Sequence, residues 1–261
     1  MKIVFTTTLL LCFLLLAILL TPLHYWTSTV NTFLIQKDVQ IETIDGHFWK
    51  GKAQLSSSHF TENFDLEWQL PSITSPIRFQ LVNSGLHAIG EITPSFSTIV
   101  LNIDALTIES EFVNFLLQKR LQNQLAKKPL KQLSKQSIRL VGAPIEIEKL
   151  LLDWPYRAKL PSQIQAQGYW DGGHIYHHIG LYSRKIHFDG AVFELVTNES
   201  GQSPEPHFTL RSKQGKIYMT AKIKPNGEGE ATIMTALLKA VGQPWYGSGN
   251  TPAFVMTERI F

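Results

Sequence analysis

Apolar and polar residues alternate one by one along most of this chain. The alternation is clearest in the segments VQIET (39–43), FDLEWQL (64–70) and IRFQL (77–81), and Ile99, Leu101 and Ile103 continue it. Successive side chains of a strand point to opposite faces of the sheet, so this period predicts strands with one apolar face. Turn residues separate the segments, as in antiparallel sheets. The pattern predicts a mainly β fold built around a mostly antiparallel sheet.

The first segment is apolar instead of alternating. Residues 3–20 contain no charged side chain and are almost entirely Leu, Ile, Val, Phe, Ala and Thr. A run of this length is just enough to cross the ~30 Å hydrocarbon core as a helix. We therefore expect a transmembrane signal anchor at 3–22, a juxtamembrane linker at 23–38 and an exported β domain at 39–261. The positive-inside rule, applied to Lys2, leaves residues 1–2 in the cytoplasm. A cleaved signal peptide is the alternative.

Composition excludes several classes of protein. Cys12 is the only cysteine and lies inside the expected span, so the β domain has neither an internal disulfide nor a cysteine nucleophile. The formal net charge is only +3, and no basic stripe interleaves with aromatic residues. Nucleic acid is therefore not an expected partner.

Two segments depart from strand periodicity. Residues 111–136 place Val113, Leu117, Leu121 and Leu125 four positions apart, which predicts an amphipathic helix that ends in a lysine-rich segment (127–135). This helix is expected to lie on the sheet, with a membrane-surface or partner-binding helix as the alternative. A second, short helix is predicted at 231–241, and a final strand at 253–261.

A weak internal duplication is suggested by two related segments. IETIDGHFWKGKA (41–53) and IQAQGYWDGGHI (164–175) each combine a strand with glycines and a tryptophan. The candidate halves are 39–110 and 138–261, joined by 111–136.

The first of these segments has two interpretations. Glycine inside a strand marks a bulge, a bend or a close backbone approach, and a large Trp beside it covers the gap that the glycine leaves. Gly46 and Gly51 are therefore expected at corners of a curled sheet, with Trp49 as cover. The alternative is that Trp49 stacks on a ligand.

Candidate catalytic and metal-ligating residues are sparse. His174, Tyr176 and His178 would share one face of a strand, and His177 lies between them, but no second group of ligands accompanies them. Alternating Asp and Glu residues are accounted for by a solvated sheet face, and no nucleophile elbow or HExxH motif is present. We therefore expect no enzymatic activity, no metal and no cofactor.

Three short motifs carry a resemblance to a known family. The chain resembles the type II (general) secretion pathway protein N family in IETIDGHFWKGKAQL, in NFDLEWQLPS and in LLKAVGQP. GYWDGG is similar to the middle Gly/Trp segment of that family. The residues that match the family motifs are Gly46, Trp49, Gly51, Ala53, Trp68, Gly168, Trp170, Gly172, Gly242, Gln243 and Pro244.

The resemblance implies a single-pass protein of the bacterial inner membrane with a large periplasmic β domain. Its role would be scaffolding or assembly in the machinery that moves folded proteins across the outer membrane. The implied partners are the inner-membrane platform proteins, with the outer-membrane secretin as a further candidate. The family brings no catalytic residues, and the histidine segment 174–178 and the lysine-rich segment have no counterpart in it.

Two other hypotheses remain open. A membrane-anchored sheet with an open apolar groove would hold acyl chains and act in lipid transport or envelope maintenance, and a filled core around Trp49, Trp68 and Trp170 would favour scaffolding instead. A polysaccharide hydrolase would require two carboxylates that face one cleft.

Overall fold

The computed structural model describes residues 21–34, 36, 38–58, 60, 62–72, 74–127, 136–158, 160–179, 182–198, 204–243 and 246–259. Cys12 and nearly all of the expected span (3–22) lie outside these residues, as does most of the lysine-rich segment. In the part of the chain that is described, no helix is both long and apolar enough to cross a membrane.

The described chain forms two compact units, and the division falls within β5 (Leu86–Pro94). Residues up to 84, together with 89–93, belong to the first unit. Residues 85–88 and those from 94 onward belong to the second unit. The helical segment that follows residue 110 is therefore part of the second unit.

The first unit is an antiparallel meander preceded by two short helices. Its elements are a 3₁₀ helix (Leu23–Trp26), α1 (Thr27–Leu34), β1 (Val39–His47), β2 (Lys50–Ser57), β3 (Phe64–Gln69) and β4 (Ile77–Asn83). Each strand pairs with the next along the chain. The expected linker at 23–38 is thus partly helical, which its sequence pattern did not indicate.

Strand register gives this meander one apolar and one polar face. Ala53 lies opposite Leu66, which lies opposite Leu81 on the next strand. Directly opposite residues share a face, so these three side chains form one apolar row. The neighbouring row, on the other face, is charged and polar. The alternation predicted from the sequence is confirmed here.

The second unit contains most of the strands and two helices. Its elements are β6 (Thr98–Ile108), α2 (Ser110–Lys127), β7 (Gln136–Gly142), β8 (Ile145–Pro155), β9 (Gln163–Trp170), β10 (Gly173–Ile179), β11 (Tyr182–Phe188), β12 (Ala191–Asn198), β13 (Glu205–Ser212), β14 (Ile217–Ile223), β15 (Glu228–Met234), α3 (Thr235–Ala240) and β16 (Pro252–Arg259). The large antiparallel sheet runs in the order β6-β8-β9-β12-β13-β14-β15-β16, and a three-stranded sheet has the order β11-β10-β7.

The core of the second unit forms around Phe188. Phe188 packs with Ala191, Tyr218 and Ala236, all buried, and its ring stacks on Trp170 with the ring centroids 5.4 Å apart. These residues come from the large sheet, the small sheet and α3. The core therefore joins both sheets of the second unit to α3.

The sheets are open, which corrects the expectation of a curled sheet. In neither unit do the first and last described strands of a sheet pair with each other. The glycines expected at corners have other roles. Gly46 adopts φ +98° at the end of a hairpin, and Gly51 makes room for an aromatic ring from the next strand.

The predicted helix at 231–241 is too long. Residues 231–234 belong to β15, and only Thr235–Ala240 are helical. Ala231 pairs with Ala221 of β14 and Met256 of β16, so it has a strand on both sides. The spacing of Ile233 and Leu237 is compatible with a helix, but ladder hydrogen bonds to two neighbours favour the strand.

One pH-dependent contact lies on the polar face of β8 and β9. The Tyr169 hydroxyl donates a hydrogen bond to Glu146 Oε2 at 2.5 Å, and this bond raises the pKa of Tyr169 to about 12. Because the pKa is raised on folding, the stabilisation is complete below pH ~10 and is lost as the pH rises through ~12. We expect one tyrosine to ionise near pH 12 in an ultraviolet titration, and Glu146→Gln to lower that pKa towards 10. An unchanged titration in the variant would contradict the assignment.

Candidate functional site

The hairpin that joins β1 and β2 is held rigidly at its tip. Phe48 and Trp49 form the turn. The Trp68 indole Nε1 donates a hydrogen bond to the carbonyl oxygen of Phe48 at 3.1 Å. The backbone N–H of Leu70 donates a second one to the carbonyl oxygen of Trp49 at 2.6 Å. Two bonds from β3 and the residue after it therefore fix the backbone of the turn.

Gly51 is required by the close approach of Trp68. A Cβ at position 51 would lie 2.4 Å from Trp68 Cζ2 and 2.6 Å from the carbonyl oxygen of Asp45. The Trp68 ring thus occupies the space of a missing side chain directly opposite on the next strand. Ala53, also in β2, is only 6% exposed. Gly46, Gly51 and Ala53 of the hairpin, and Trp68 of β3, therefore have packing roles.

A groove of about 620 Å³ lies along the polar face of the same hairpin and β3–β4. Register places two parallel rows of opposed side chains on this face: one row from Asp45 through Lys52 and Glu67 to Gln80, the other from His47 through Lys50 and Gln69 to Arg78. All eight of these residues line the groove, together with the aromatic and apolar side chains of Trp49, Trp68, Phe79 and Ile89.

Ion pairs hold several of these charges. Lys52 Nζ lies 3.0 Å from Glu67 Oε1, and that hydrogen bond raises the pKa of Lys52. Arg78 Nε lies 3.0 Å from Glu91 Oε1. The carboxylate of Asp45 accepts the N–H of Gly46 at 2.8 Å. Two carboxylates, Asp45 and Glu67, therefore line one groove, but each already has a partner within the structure.

Trp49 forms a flat wall at one end of the groove. Its ring stacks on His47 with centroids 5.1 Å apart and planes 9° from parallel. Trp49 is 37% exposed, and its neighbour Phe48 is 52% exposed. An exposed indole beside a row of polar side chains is an arrangement suited to binding.

The second Gly/Trp segment repeats the packing of an aromatic ring over a glycine, but it does not line the groove. Gly168 lies opposite Phe193, whose Cζ would be 2.4 Å from an added Cβ. Trp170 is packed in the core, where its Nε1 donates to the carbonyl oxygen of Ala143 at 2.9 Å. Gly172 adopts φ +100° in the connection to β10. These three residues are structural.

The third motif ends helix α3. Gly242 adopts φ +68°, and the N–H groups of Gly242 and Gln243 donate to the carbonyl oxygens of Lys239 and Leu238. This is the usual way in which a glycine ends a helix. Gln243 is exposed, and Pro244 lies outside the described residues.

Two asparagines cover strand edges. Asn31 of α1 donates from Nδ2 to the carbonyl oxygen of Ile41 at 2.9 Å, and its Oδ1 accepts the N–H of Ile41 at 2.7 Å. In the second unit, Asn114 of α2 makes the same pair of bonds to Leu140 of β7, at 2.7 and 2.6 Å. Each amide therefore replaces a neighbouring strand at one position of β1 or β7.

Strand β16 is exposed along nearly all of its length. It is the last strand of its sheet and pairs with β15 on one side. Val255 is 61% exposed and Met256 is 51% exposed. An edge strand with large exposed apolar side chains is a template for pairing with another chain.

The histidine segment lies on the three-stranded sheet. His174 and His178 share one face with Tyr176, and His174 faces His187 with ring centroids 5.3 Å apart. Partial burial, followed by the charges of Lys185 and His187, lowers the pKa of His174. His177 points to the other face. Among the described residues, no group of three or more His, Cys, Asp or Glu could hold a metal ion.

Sequence reasoning identified the hairpin glycines, but Trp68 and not the expected Trp49 covers Gly51. It also missed the two asparagine bridges and the groove. One signal was present for Asn114, which stands in line with Leu117 and Leu121 on the apolar stripe of the predicted helix. The groove gave no local signal, because its floor comes from four strands brought into register.

In the comparisons with known proteins, no family model, no curated protein and no solved structure matches this chain.

Proposed function

We propose that this chain is an accessory scaffold of the type II secretion machinery, anchored in the bacterial inner membrane with its β domain in the periplasm. The proposal takes the machinery and the location from the resemblance in Gly46, Trp49, Gly51, Trp68 and the Gly242 motif. It takes the scaffolding role from the edge of the large sheet. No catalytic step is part of it.

The observation that carries the scaffolding role is the state of the strand edges. The β1 and β7 edges each receive a bidentate asparagine. β16 instead presents Val255 and Met256 largely exposed. We infer that β16 recruits a strand from a platform protein, because backbone hydrogen bonds supply affinity and alternate side chains supply specificity.

The positions of the tryptophans favour scaffolding over lipid carriage. Trp170 is packed in the core, and Trp68 fills the space above Gly51. Trp49 and Trp68 line the groove of the first unit, but charged side chains line it as well, and these disfavour acyl chains.

The function is tested by deletion in the parent bacterium, scoring an exported hydrolase in the medium and the periplasm together with the uptake of a hydrophobic dye. We expect hydrolase trapped in the periplasm and no increase in dye uptake. Normal secretion by the deletion strain would overturn the proposal.

The β16 mechanism has its own test in the complemented strain. Val255→Lys places a charge on the exposed edge and should reduce photo-crosslinking to the platform proteins about tenfold, a loss of ~1.4 kcal/mol. Stability should stay within about 0.5 kcal/mol of the parent, because the site is exposed. The matched control is Ile217→Lys, an exposed apolar residue of β14. Equal losses in both variants would argue against β16 as the contact.

Lipid transport remains a second candidate because of one observation. The apolar residues Leu195 and Phe208, opposed on β12 and β13, are only partly buried, next to Phe193 over Gly168 and Leu210 against the core. A sheet face of this kind would accept acyl chains. Increased dye uptake with normal secretion in the deletion strain would support this function instead.

A further inference from the structure

The polar groove of the first unit combines a flat aromatic wall with rows of hydrogen-bonding side chains. Trp49 is stacked on His47, and its backbone is fixed by Leu70 and by the turn geometry, so the indole is held in place before any ligand arrives. Pre-organisation of this kind lowers the entropic cost of binding. The indole offers an apolar ring face next to polar groups.

Charge in and beside the groove balances. Three cationic side chains (Lys50, Lys52, Arg78) accompany three anionic ones (Asp45, Glu67 and Glu91, the partner of Arg78). A polyanion would therefore find no excess positive charge, and a polycation no excess negative charge. The chemistry favours a neutral ligand that both donates and accepts hydrogen bonds.

The volume and the floor of the groove restrict the class of ligand further. The groove volume of about 620 Å³ lies within the range of roughly 300 to 1,000 Å³ found for small-ligand sites. The middle strands of its floor, β2 and β3, are paired on both sides. An added peptide strand would find no unpaired backbone on these two strands.

We propose that this groove binds a neutral oligosaccharide, with one sugar ring stacked on Trp49 and its hydroxyl groups hydrogen-bonded by the polar rows. The C–H face of a sugar ring is apolar and matches the indole, while its edge carries hydroxyl groups that are both donors and acceptors. Gln69 supplies an amide group that both donates and accepts hydrogen bonds. This inference is independent of the secretion role, so each can fail without the other.

The test is isothermal titration of the full-length chain with chitopentaose and cellopentaose, in a zwitterionic detergent because sugar-headed detergents would compete. We expect saturable binding of at least one of the two. Trp49→Ala should weaken it about tenfold, ~1.4 kcal/mol, and Trp49→Phe should restore much of the loss. The matched control is Phe48→Ala, which removes the neighbouring exposed ring of the same turn. Thermal unfolding of each variant confirms that the fold is retained.

Several outcomes would overturn the inference. One is the absence of binding heat with either oligosaccharide. Another is an equal loss of affinity in Trp49→Ala and Phe48→Ala. A third is a preference for a heparin-derived oligosaccharide or an extended peptide. Mass spectrometry of the recovered sugar adds one more. Shortened chains would indicate that Asp45 and Glu67 act as a hydrolase pair, which replaces a binding site with an active site.

Discussion

Asn114→Ala is expected to destabilise the second unit by about 2–4 kcal/mol. The substitution removes both hydrogen bonds to Leu140 and leaves a backbone N–H and a C=O of β7 without their partner. Asn114 is only 7% exposed, so water replaces these bonds poorly, and each unsatisfied group costs ~1–3 kcal/mol. Urea and thermal unfolding of the full-length chain, followed by circular dichroism, measure the loss, with a shift of the midpoint temperature on the order of 10 °C.

Two further variants separate the edge contact from general helix effects. Gln118→Ala changes an exposed residue of the same helix and should stay within about 0.5 kcal/mol of the parent. Asn114→Asp keeps the acceptor for the Leu140 N–H but sets a carboxylate against the Leu140 carbonyl, so its loss should be similar to that of Asn114→Ala. If Asn114→Ala unfolds like Gln118→Ala, the asparagine does not secure β7.

Gly51→Ala is the second substitution with a large expected effect, about 1–3 kcal/mol in the first unit. The added Cβ would meet both the Trp68 ring and the carbonyl oxygen of Asp45 well inside contact distance. Overpacking of this kind forces side chains off their rotamers or shifts the backbone. The expected result is a lower unfolding midpoint in urea, together with a change in tryptophan fluorescence as the Trp68 indole moves.

The control for this substitution is Gly249→Ala. A Cβ at position 249 would lie 3.7 Å from Ala236 Cβ, an ordinary contact, so little change is expected. A double-mutant cycle with Trp68→Leu tests the cause. Trp68→Leu should cost less in the Gly51→Ala background than alone, because the clash is then partly relieved. Strict additivity would show that the two positions do not interact.

Local pattern accounts for most of the secondary structure. The alternation at 64–70 and at 77–81 corresponds to β3 and β4, and the four-residue spacing after residue 110 corresponds to α2. The same reasoning extended the last helix into 231–234. Ile233, Leu237 and Val241 fit both the two-residue period of a strand and the 3.6-residue period of a helix. Pairing with a strand on either side makes such a segment a strand. The pairing partners cannot be identified from the local sequence of the segment.

The candidate site shows the same limit. Alternation alone places Asp45, Lys52 and Glu67 on the polar face of their strands. It does not say that the three lie in one row, which depends on the register of β1 with β2 and of β2 with β3. A shift of one residue in either pairing would move part of the row to the other face of the sheet, and the groove would be lost.

The sequence by itself determined that this chain forms strands with one apolar face, that a helix interrupts them, and that glycines and a tryptophan lie at the β1–β2 hairpin. These features follow from the spacing of side chains along the backbone, which is a local property. Only the tertiary structure decided that the sheets stay open, that β7, β10 and β11 form a separate sheet, and that Asn31 and Asn114 cover two edges while β16 is left exposed. Those features depend on which distant segments pair, and pairing is set by the packing and hydrogen-bond energy of the whole unit.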